Sequence, residues 1–311
     1  MLKYALRRLW ETVPATFGIL LLTFALFNVV GGSPAEAILG KNATAESVAA
    51  FNRKWGYDKP LVFARDSQFV RFVRDLCRGD LGYSVEYQEP VADVLRRGLG
   101  PSLSLTVPIL LGGSVLALML ATVAAACRGG WIDRTVLALS AVLMSVNYVV
   151  WVLAGQFFLA YKAGLFPVWG CHGPSCFVLP VLIGVVSSLG ADVRYFRTVI
   201  LDEAYKPYVL TARAKGLSPA VVMVRHVLRN ALIPVVTYVS LSIPFLFSGS
   251  LLLESFFGIP GLGSVAINAI HSADMAVVRS IVVLGALAYQ FVNLAADLLY
   301  AALDPRVRMT R

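Results

Sequence analysis

The chain contains six apolar stretches of the length that crosses a lipid bilayer. A transmembrane helix needs about 20 mainly apolar residues. Charged residues make up 14% of this chain, against roughly 25% in soluble domains. We therefore predict an all-α integral membrane protein with six transmembrane helices, of which the third is long enough to tilt or to extend into an interface. The six stretches are Trp10–Val30, Pro101–Ala126, Ile132–Tyr161, Phe177–Val193, Ala231–Phe256 and Ile281–Ala302.

The distribution of Lys and Arg predicts the orientation. Most basic residues near the spans fall on the side that holds both termini, whereas the short segments on the other side hold Lys162 and Arg279. Since Lys and Arg are enriched in cytoplasmic loops, both termini are predicted to be cytoplasmic. The formal net charge of +9 then reflects membrane topology, and membrane lipid rather than nucleic acid is the expected partner. The first apolar stretch is too long for a signal peptide and is interpreted as a retained helix.

This topology divides the chain into four parts. Residues 1–30 hold the N-terminal segment and the first transmembrane helix, and residues 31–100 form an extracytoplasmic insert. Residues 101–302 form the helical core, and residues 303–311 form a cytoplasmic tail. The insert either caps a pore or meets a soluble protein outside, or it is a packing element without partners.

The segment 201–234 is the long polar interruption in the second half of the chain, and it lies between the fourth and fifth predicted helices. It is predicted to form two short helices. The first covers Glu203–Lys215 and becomes regular at Pro207, which is tolerated only near a first turn. Gly216 suits a helix C-cap, and Ser218 followed by Pro219 suits the start of the second helix. The small side chains of this segment predict a docking surface for another protein: Ala204, Ala212, Ala214 and Gly216.

Sequence motifs for catalysis are missing. The chain has no Walker A sequence, so it has no ATPase site of the P-loop type, and it has no His-Glu-x-x-His motif. The three histidines are scattered over both sides of the predicted membrane. We therefore expect neither enzyme activity nor a cofactor or metal bound by this chain.

Polar side chains within apolar spans are costly in lipid, so each is a candidate for the translocation pathway. Asn147 and Gln156 lie on nearly opposite faces of a straight third helix, and one of them is expected to face a lumen. Ser240 and Ser248 in the fifth span either line a polar pathway or serve helix packing. Glu254, at the outer mouth of the same span, either faces a translocation route or binds the outer loop.

The cysteines separate by side of the membrane. Cys171 and Cys176 share a short outside loop with a Gly-Pro turn, which favours a disulfide in an oxidising compartment. Free thiols and a metal site that lacks a fourth ligand remain alternatives. Cys77 is outside and without an evident partner, and Cys127 lies at the cytoplasmic end of the second span.

Several motifs resemble those of permease subunits in bacterial ATP-binding cassette (ABC) importers. Glu203-Ala204-Tyr205, Gly216 and Ile233-Pro234 are similar to the "EAA" loop of these subunits. More narrowly, the chain resembles the first permease of dipeptide, oligopeptide and nickel importers along its whole length. The motifs that carry this narrower resemblance are Tyr57–Pro60, Gly79–Gly82, Leu165–Pro167, Tyr208–Gly216, Arg229–Ala231, Glu254, Pro260–Gly263 and Asp304–Arg306.

The resemblance implies a set of partners and a role for the cytoplasmic segment. Family members pair with a second, similar permease and rest on one or two ABC ATPase subunits, which bind ATP and Mg. A soluble binding protein delivers the solute from outside the bacterial inner membrane. The residues implied in coupling to the ATPase are Glu203, Ala204, Tyr208, Thr211, Ala212, Arg213, Ala214, Lys215, Gly216, Leu217, Ser218 and Pro219.

The resemblance leaves the solute open. The chain departs from the family pattern at Gly100–Ser104, at Asp274–Ala276 and in the loop that holds Cys171 and Cys176. Sparse charge in the spans favours di- or oligopeptides or peptide-like solutes. Nickel or metal–chelator complexes are the alternative within the family. Outside it, the alternatives are a secondary transporter or channel and a membrane scaffold.

Overall fold

The structure, a computed structural model, describes residues 2–30, 35, 39, 44–55, 58–61, 67–171, 173–243, 246 and 250–303. These residues form helices joined by turns, and an isolated antiparallel bridge joins Tyr83 to Pro90. The predicted all-α membrane fold is confirmed. The helices are α1 (Leu2–Phe24), α2 (Ala45–Trp55), α3 (Gln68–Cys77), α4 (Val91–Ala126), α5 (Trp131–Ser145), α6 (Tyr148–Gly155), α7 (Val178–Ala204), α8 (Pro207–Ala214), α9 (Pro219–Ser242), α10 (Leu251–Phe257), α11 (Leu262–His271) and α12 (Met275–Leu303).

Five helical stretches of the described residues are long and apolar enough to cross a membrane. They lie in α1, α4, α7, α9 and α12. Two further candidates are bent pairs, α5 with α6 at 91° and α10 with α11 at 84°. The described part of the chain thus has between five and seven candidate spans, where the sequence predicted six.

The third predicted span, Ile132–Tyr161, is not a straight helix. The backbone is extended at Asn147, with ψ at 141°, and the Asn147 side chain accepts a hydrogen bond of 2.9 Å from the Val149 amide. A side chain that caps the new helix in this way replaces the intrahelical bonds that are lost at the break. The apolar run is therefore shared between α5 and α6, and α6 continues as a π-helical segment over Gln156–Lys162.

The fifth predicted span, Ala231–Phe256, also differs from the structure. The helix begins at Pro219 and ends at Ser242, which makes it long enough to cross a bilayer. Residues Leu251–Phe257 belong instead to the bent pair α10–α11. The sequence predicted that the second short helix, which carries Arg225 and Arg229, continues without a polar break into the apolar span, and the structure has this continuous helix.

Small side chains bring the central helices close together. The face of α4 that packs on α7 contains Ala117, Ala121 and Ala125, all buried. At Gly190 of α7, an added Cβ atom would lie 2.7 Å from the Ser140 carbonyl oxygen of α5. Small residues at such contacts allow the close van der Waals packing that holds membrane helices together.

The described part of segment 31–100 packs on the helical core through α3 and through the residues around Ser84. Phe69 of α3 packs on Phe24 of α1, with ring centroids 5.3 Å apart. The buried Asp274 carboxylate, just before α12, accepts hydrogen bonds from the Ser84 hydroxyl at 2.6 Å and from the Val85 amide at 2.9 Å. These contacts fix the described part of the segment on the helices.

Cys171 and Cys176 are joined by a disulfide, with their Cα atoms 5.1 Å apart. The pair closes the outer loop before α7, and Cys176 is buried at its base. Cys77 and Cys127 are free thiols.

Candidate coupling site and pathway residues

The two helices predicted for the segment 201–234 are α8 and the start of α9. The amide of Gly216 donates to the Arg213 carbonyl at 2.9 Å, and the φ angle of Gly216 is +79°. This left-handed conformation costs little for glycine and ends α8. Ser218 then has extended backbone, and Pro219 occupies the first helical position, as the sequence predicted. The Ser218 side chain makes no capping hydrogen bond.

Glu203 and Ala204 do not lie in the first of these helices. They form the last turn of α7, and a turn at Tyr205 and Lys206 precedes the helix that begins at Pro207. The prediction of one helix over Glu203–Lys215 was therefore wrong at its start. Proline at position 207 removes a backbone donor, so α7 cannot continue through it.

A polar cluster, formed by Glu203, Tyr208, His226 and Asn230, fixes α8 on its neighbours. The Tyr208 hydroxyl donates to the Glu203 carboxylate at 2.5 Å and lies 3.2 Å from the His226 carbonyl oxygen of α9. The Asn230 amide donates to the Tyr208 oxygen at 3.0 Å and to the His226 carbonyl at 2.9 Å. The cluster therefore joins the end of α7, the start of α8 and the first turns of α9.

Burial and the neighbouring Glu203 carboxylate raise the pKa of Tyr208 from its usual 10 to about 12. A raised pKa means that the folded protein favours the neutral hydroxyl. The stability that this hydroxyl contributes is complete below pH 10 and is lost as the pH rises towards 12.

The two faces of α8 have different environments. Val209 is fully buried and Ala212 is 5% exposed, and both belong to the apolar core that α4, α7 and α9 share. Leu210 is 57% exposed and Leu217 is 40% exposed. Other exposed side chains lie on the same outward face of α8 or in the turn that follows it: Thr211, Arg213, Ala214, Lys215, Ser218 and Pro219.

This division corrects part of the predicted docking surface. Ala204 and Ala212 are small because they pack within the chain's own core, so they do not leave room for a partner. Ala214 and Gly216 are exposed, as a docking surface requires. The candidate coupling surface consists of the exposed residues from Leu210 to Pro219.

Two of the predicted pathway residues have structural roles in this chain. Asn147 is exposed and caps α6, and Gln156 donates through its amide to the carbonyl oxygens of Val168 at 2.8 Å and Phe256 at 3.0 Å. Gln156 thereby connects the loop that contains Val168 to α10. Asn147 lies in the break between α5 and α6, and Gln156 lies after α6, so the straight third helix that the sequence predicted for them was wrong. Ser240 is half-buried near the end of α9, and Ser248 lies outside the described residues.

Glu254 does not face an open route within this chain. Its side chain is fully buried, and each carboxylate oxygen accepts two hydrogen bonds. One oxygen accepts from the Ser102 hydroxyl at 2.8 Å and the Ser250 amide at 3.0 Å. The other accepts from the first turn of α11, at 2.6 Å from the Gly263 amide and 3.1 Å from the Ser264 amide. Glu254 thus braces α10, α11 and α4, which favours the packing role that the sequence left open.

Comparison with known families decides the identity. Residues 101–309 match the family described as "Binding-protein-dependent transport system inner membrane component", and residues 1–106 match its N-terminal companion, "Binding-prot-dependent transport system membrane comp, N-term". The chain belongs to this family. It is a permease component of a binding-protein-dependent ABC importer and a multi-pass protein of the inner membrane, and the ATPase is a separate subunit.

Curated relatives cover the chain from end to end. The permease is similar to "Glutathione transport system permease protein GsiC" of Escherichia coli (strain K12), with 30% identity over 310 residues. The proteins of the same name from Shigella flexneri serotype 5b and Salmonella paratyphi A are 31% and 32% identical. Each alignment covers 99% of both chains.

The structure of the permease also shows an ion pair that the sequence reasoning missed. Arg197 of α7 donates to both oxygens of Asp133, at 2.6 and 2.8 Å, and the Gly129 amide donates to the same carboxylate at 2.9 Å. Asp133 is 3% exposed, so the pair is largely removed from water. Arg197 had been counted only among the basic residues beside the spans, and Asp133 had not been singled out.

The sequence reasoning also missed Asp192. It lies in the interior of α7, and its carboxylate accepts a hydrogen bond of 3.0 Å from the Tyr238 hydroxyl of α9. The sequence prediction ended this span at Val193, which placed Asp192 at the membrane boundary. In the structure the helix continues to Ala204, so Asp192 lies in the interior of the helix and not at its end. Among the described residues, no cluster of His, Cys, Asp and Glu has the arrangement of a metal site.

Proposed function

We propose that this permease pairs with a second, similar permease to enclose a pathway for di- or oligopeptides or peptide-like solutes. A binding protein on the outer side delivers the solute, and one or two ABC ATPase subunits dock on the candidate coupling surface around α8. ATP and Mg are held by the ATPase subunits and not by this chain. In this arrangement both termini and α8 lie in the cytoplasm.

The observation that carries the proposal is the shared core beneath α8. Val209 and Ala212 of α8 are buried with Val193 and Phe196 of α7 and with Val227 of α9. Protein interiors are densely packed and transmit displacement. A force on α8 therefore reaches the membrane helices directly through this packed core. The polar cluster around Tyr208 adds hydrogen bonds to the same connection.

The outward face of α8 is suited to a protein partner. It combines two exposed leucines, Leu210 and Leu217, with the basic residues Arg213 and Lys215. Exposed apolar side chains rimmed by charged groups are typical of a protein–protein contact.

ATP-driven closure of two ATPases would bring the α8 helices of both permeases together and change which side of the membrane the pathway faces. Such coupling requires a part of the transporter with two conformations whose balance depends on both the ATPase and the solute. In this proposal the pair of permeases is that part.

The class of solute is inferred from the relatives. Their name states glutathione transport, and glutathione is a small peptide. A peptide-like solute is therefore the chemistry with the best support for this chain.

The test is solute uptake by the complete transporter. The permease is reconstituted with its second permease and ATPase subunits in proteoliposomes that contain ATP and Mg, and binding protein with radiolabelled glutathione or dipeptide is added outside. We expect accumulation that requires both ATP and the binding protein. Uptake driven by an ion gradient without ATP would indicate a secondary transporter, and an ATPase that binds without any uptake would indicate a scaffold.

A further inference from the structure

Asp192 is a carboxylate in the interior of a membrane helix that the coupling mechanism does not use. At about 1.5 Å per residue, it lies about 21 Å along α7 from Val178 and about 18 Å from Ala204. It is half-buried, and no ion pair joins it to a basic group of the described residues. Ionisable residues at such positions are costly in lipid, and they face a bundle interior or a water-filled cavity.

Polar and aromatic side chains surround the Asp192 carboxylate. Tyr238 donates its hydroxyl to one carboxylate oxygen at 3.0 Å, and Ser188, one helical turn earlier, donates its own hydroxyl to the Val185 carbonyl at 3.1 Å. Tyr195 stacks on Tyr238 with ring centroids 4.4 Å apart and remains 39% exposed. Ser188, Asp192 and Tyr195 lie on one face of α7, because residues four and three apart share a face.

This face lies beside the core and not within it. The adjacent face of α7, which includes Leu189, Val193, Phe196 and Ile200, is buried against α4 and α9. The Asp192 face is only partly covered by Tyr238, so its open side meets whatever lies next to the permease in the assembled transporter. A carboxylate and a partly exposed tyrosine ring on the same helix face are groups that bind ammonium ions, through charge and through the cation–π interaction.

We propose that Asp192 and Tyr195 bind the free ammonium group of the solute as it passes through the pathway, with the carboxylate held in position by Tyr238. The proposal rests on the proposed function, since it requires that this permease encloses a route for peptide-like solutes. It deepens that function by naming the recognised class: solutes with a free amino group. Tyr238 positions the Asp192 carboxylate, while Asp192 and Tyr195 contact the ammonium group.

The test compares a peptide that has a free amino terminus with its N-acetylated form. Uptake of each is measured in the reconstituted transporter for wild type, for Asp192→Asn and for Asp192→Glu. The binding protein is the same in all three preparations, so its own preference cancels in the variant-to-wild-type ratio. For Asp192→Asn we expect free-amine uptake to fall about tenfold or more, as for the loss of a charge-assisted contact, with acetylated uptake within about twofold of wild type. Asp192→Glu should restore part of the preference.

Two further variants separate recognition from structure. Asp75→Asn removes an exposed carboxylate from the extracytoplasmic α3 and should leave both rates unchanged. Where acetylated uptake is too slow to measure, Tyr195→Cys in a Cys77→Ser, Cys127→Ser background provides a second measurement. The free-amine peptide, and not the acetylated one, should protect that cysteine from maleimide.

The outcomes that overturn the proposal are distinct from failure of the proposed function. Equal loss of both peptides in Asp192→Asn, together with reduced co-purification of the second permease, would assign Asp192 to a contact between permeases. Unchanged uptake of both would exclude a role in recognition. Failure of the proposed function would show instead as absence of ATP-dependent uptake in the wild type.

Discussion

Replacing Glu254 tests whether this carboxylate is a structural brace or part of the pathway. In Glu254→Gln an NH₂ group, which is a donor, replaces one of the two acceptor oxygens. This NH₂ group then lies next to donors that hydrogen-bond to the carboxylate in the wild type. If the amide nitrogen takes the position near Gly263 and Ser264, two amides lose their acceptor. If it takes the other position, it can donate to Ser102, but the Ser250 amide is left without an acceptor.

The magnitude follows from these unsatisfied groups. A buried donor without an acceptor costs about 1–3 kcal/mol, and the carboxylate also loses its favourable position at the N-terminus of α11, worth about 0.3–1 kcal/mol. We expect Glu254→Gln to lower the free energy of unfolding by about 2–4 kcal/mol. Glu254→Ala leaves all four donors without this acceptor and should lower the free energy of unfolding by about 4 kcal/mol or more, at about 1–3 kcal/mol for each donor.

The assay is equilibrium unfolding of the purified permease in mixed detergent–SDS micelles. Glu86→Gln, at an exposed carboxylate of the extracytoplasmic insert, is the matched control and should lie within about 0.5 kcal/mol of wild type. Wild-type stability in Glu254→Gln, combined with an altered rate of solute uptake, would refute the brace and return Glu254 to the pathway.

Three more predictions concern α8 and the ion pair between Arg197 and Asp133. Tyr208→Phe removes the hydroxyl at the centre of its polar cluster, so uptake should fall while basal ATP hydrolysis persists; Tyr205→Phe, at an exposed ring, should leave both rates unchanged. Gly216→Val forces a β-branched residue into a left-handed conformation at a cost of about 1–2 kcal/mol. It should abolish coupled uptake without loss of membrane insertion, and unchanged uptake would disprove the role of this turn. Arg197→Met leaves the buried Asp133 without its cation and should destabilise the permease by about 3–5 kcal/mol. Adding Asp133→Asn should recover much of that loss in the same unfolding assay, and no recovery would contradict the ion pair.

The sequence predicts the all-α membrane fold because hydropathy is a local property, although the third and fifth of the six predicted spans differ from the helices in the structure. It also predicts the turn after α8, because Gly216 tolerates the left-handed conformation that ends a helix and Pro219 has a φ angle fixed near the value of a first helical position. The bend at Asn147 was missed for a related reason. Apolar residues continue on both sides of it, and the break is visible only through the capping hydrogen bond to Val149.

Roles that depend on a distant partner could not be predicted from one sequence. Ala212 and Ala214 are both small residues of the same short helix, yet one is buried and the other is exposed, because only the first lies above the core. Arg197 and Asp133 are 64 positions apart, and nothing in the local pattern connects them. Glu254 was assigned two possible roles because the four donors that surround it come from three separate parts of the chain.

The most direct test of the central claim is the accessibility of α8. Leu210, which is 57% exposed on the outward face, is replaced by Cys in a Cys77→Ser, Cys127→Ser background and treated with a membrane-impermeant maleimide. If α8 couples the permease to an ATPase, the reagent should label this cysteine in inside-out vesicles and not in intact spheroplasts, and bound ATPase subunits should protect it. Labelling from the outer side, or equal labelling with and without the ATPase, would contradict the account.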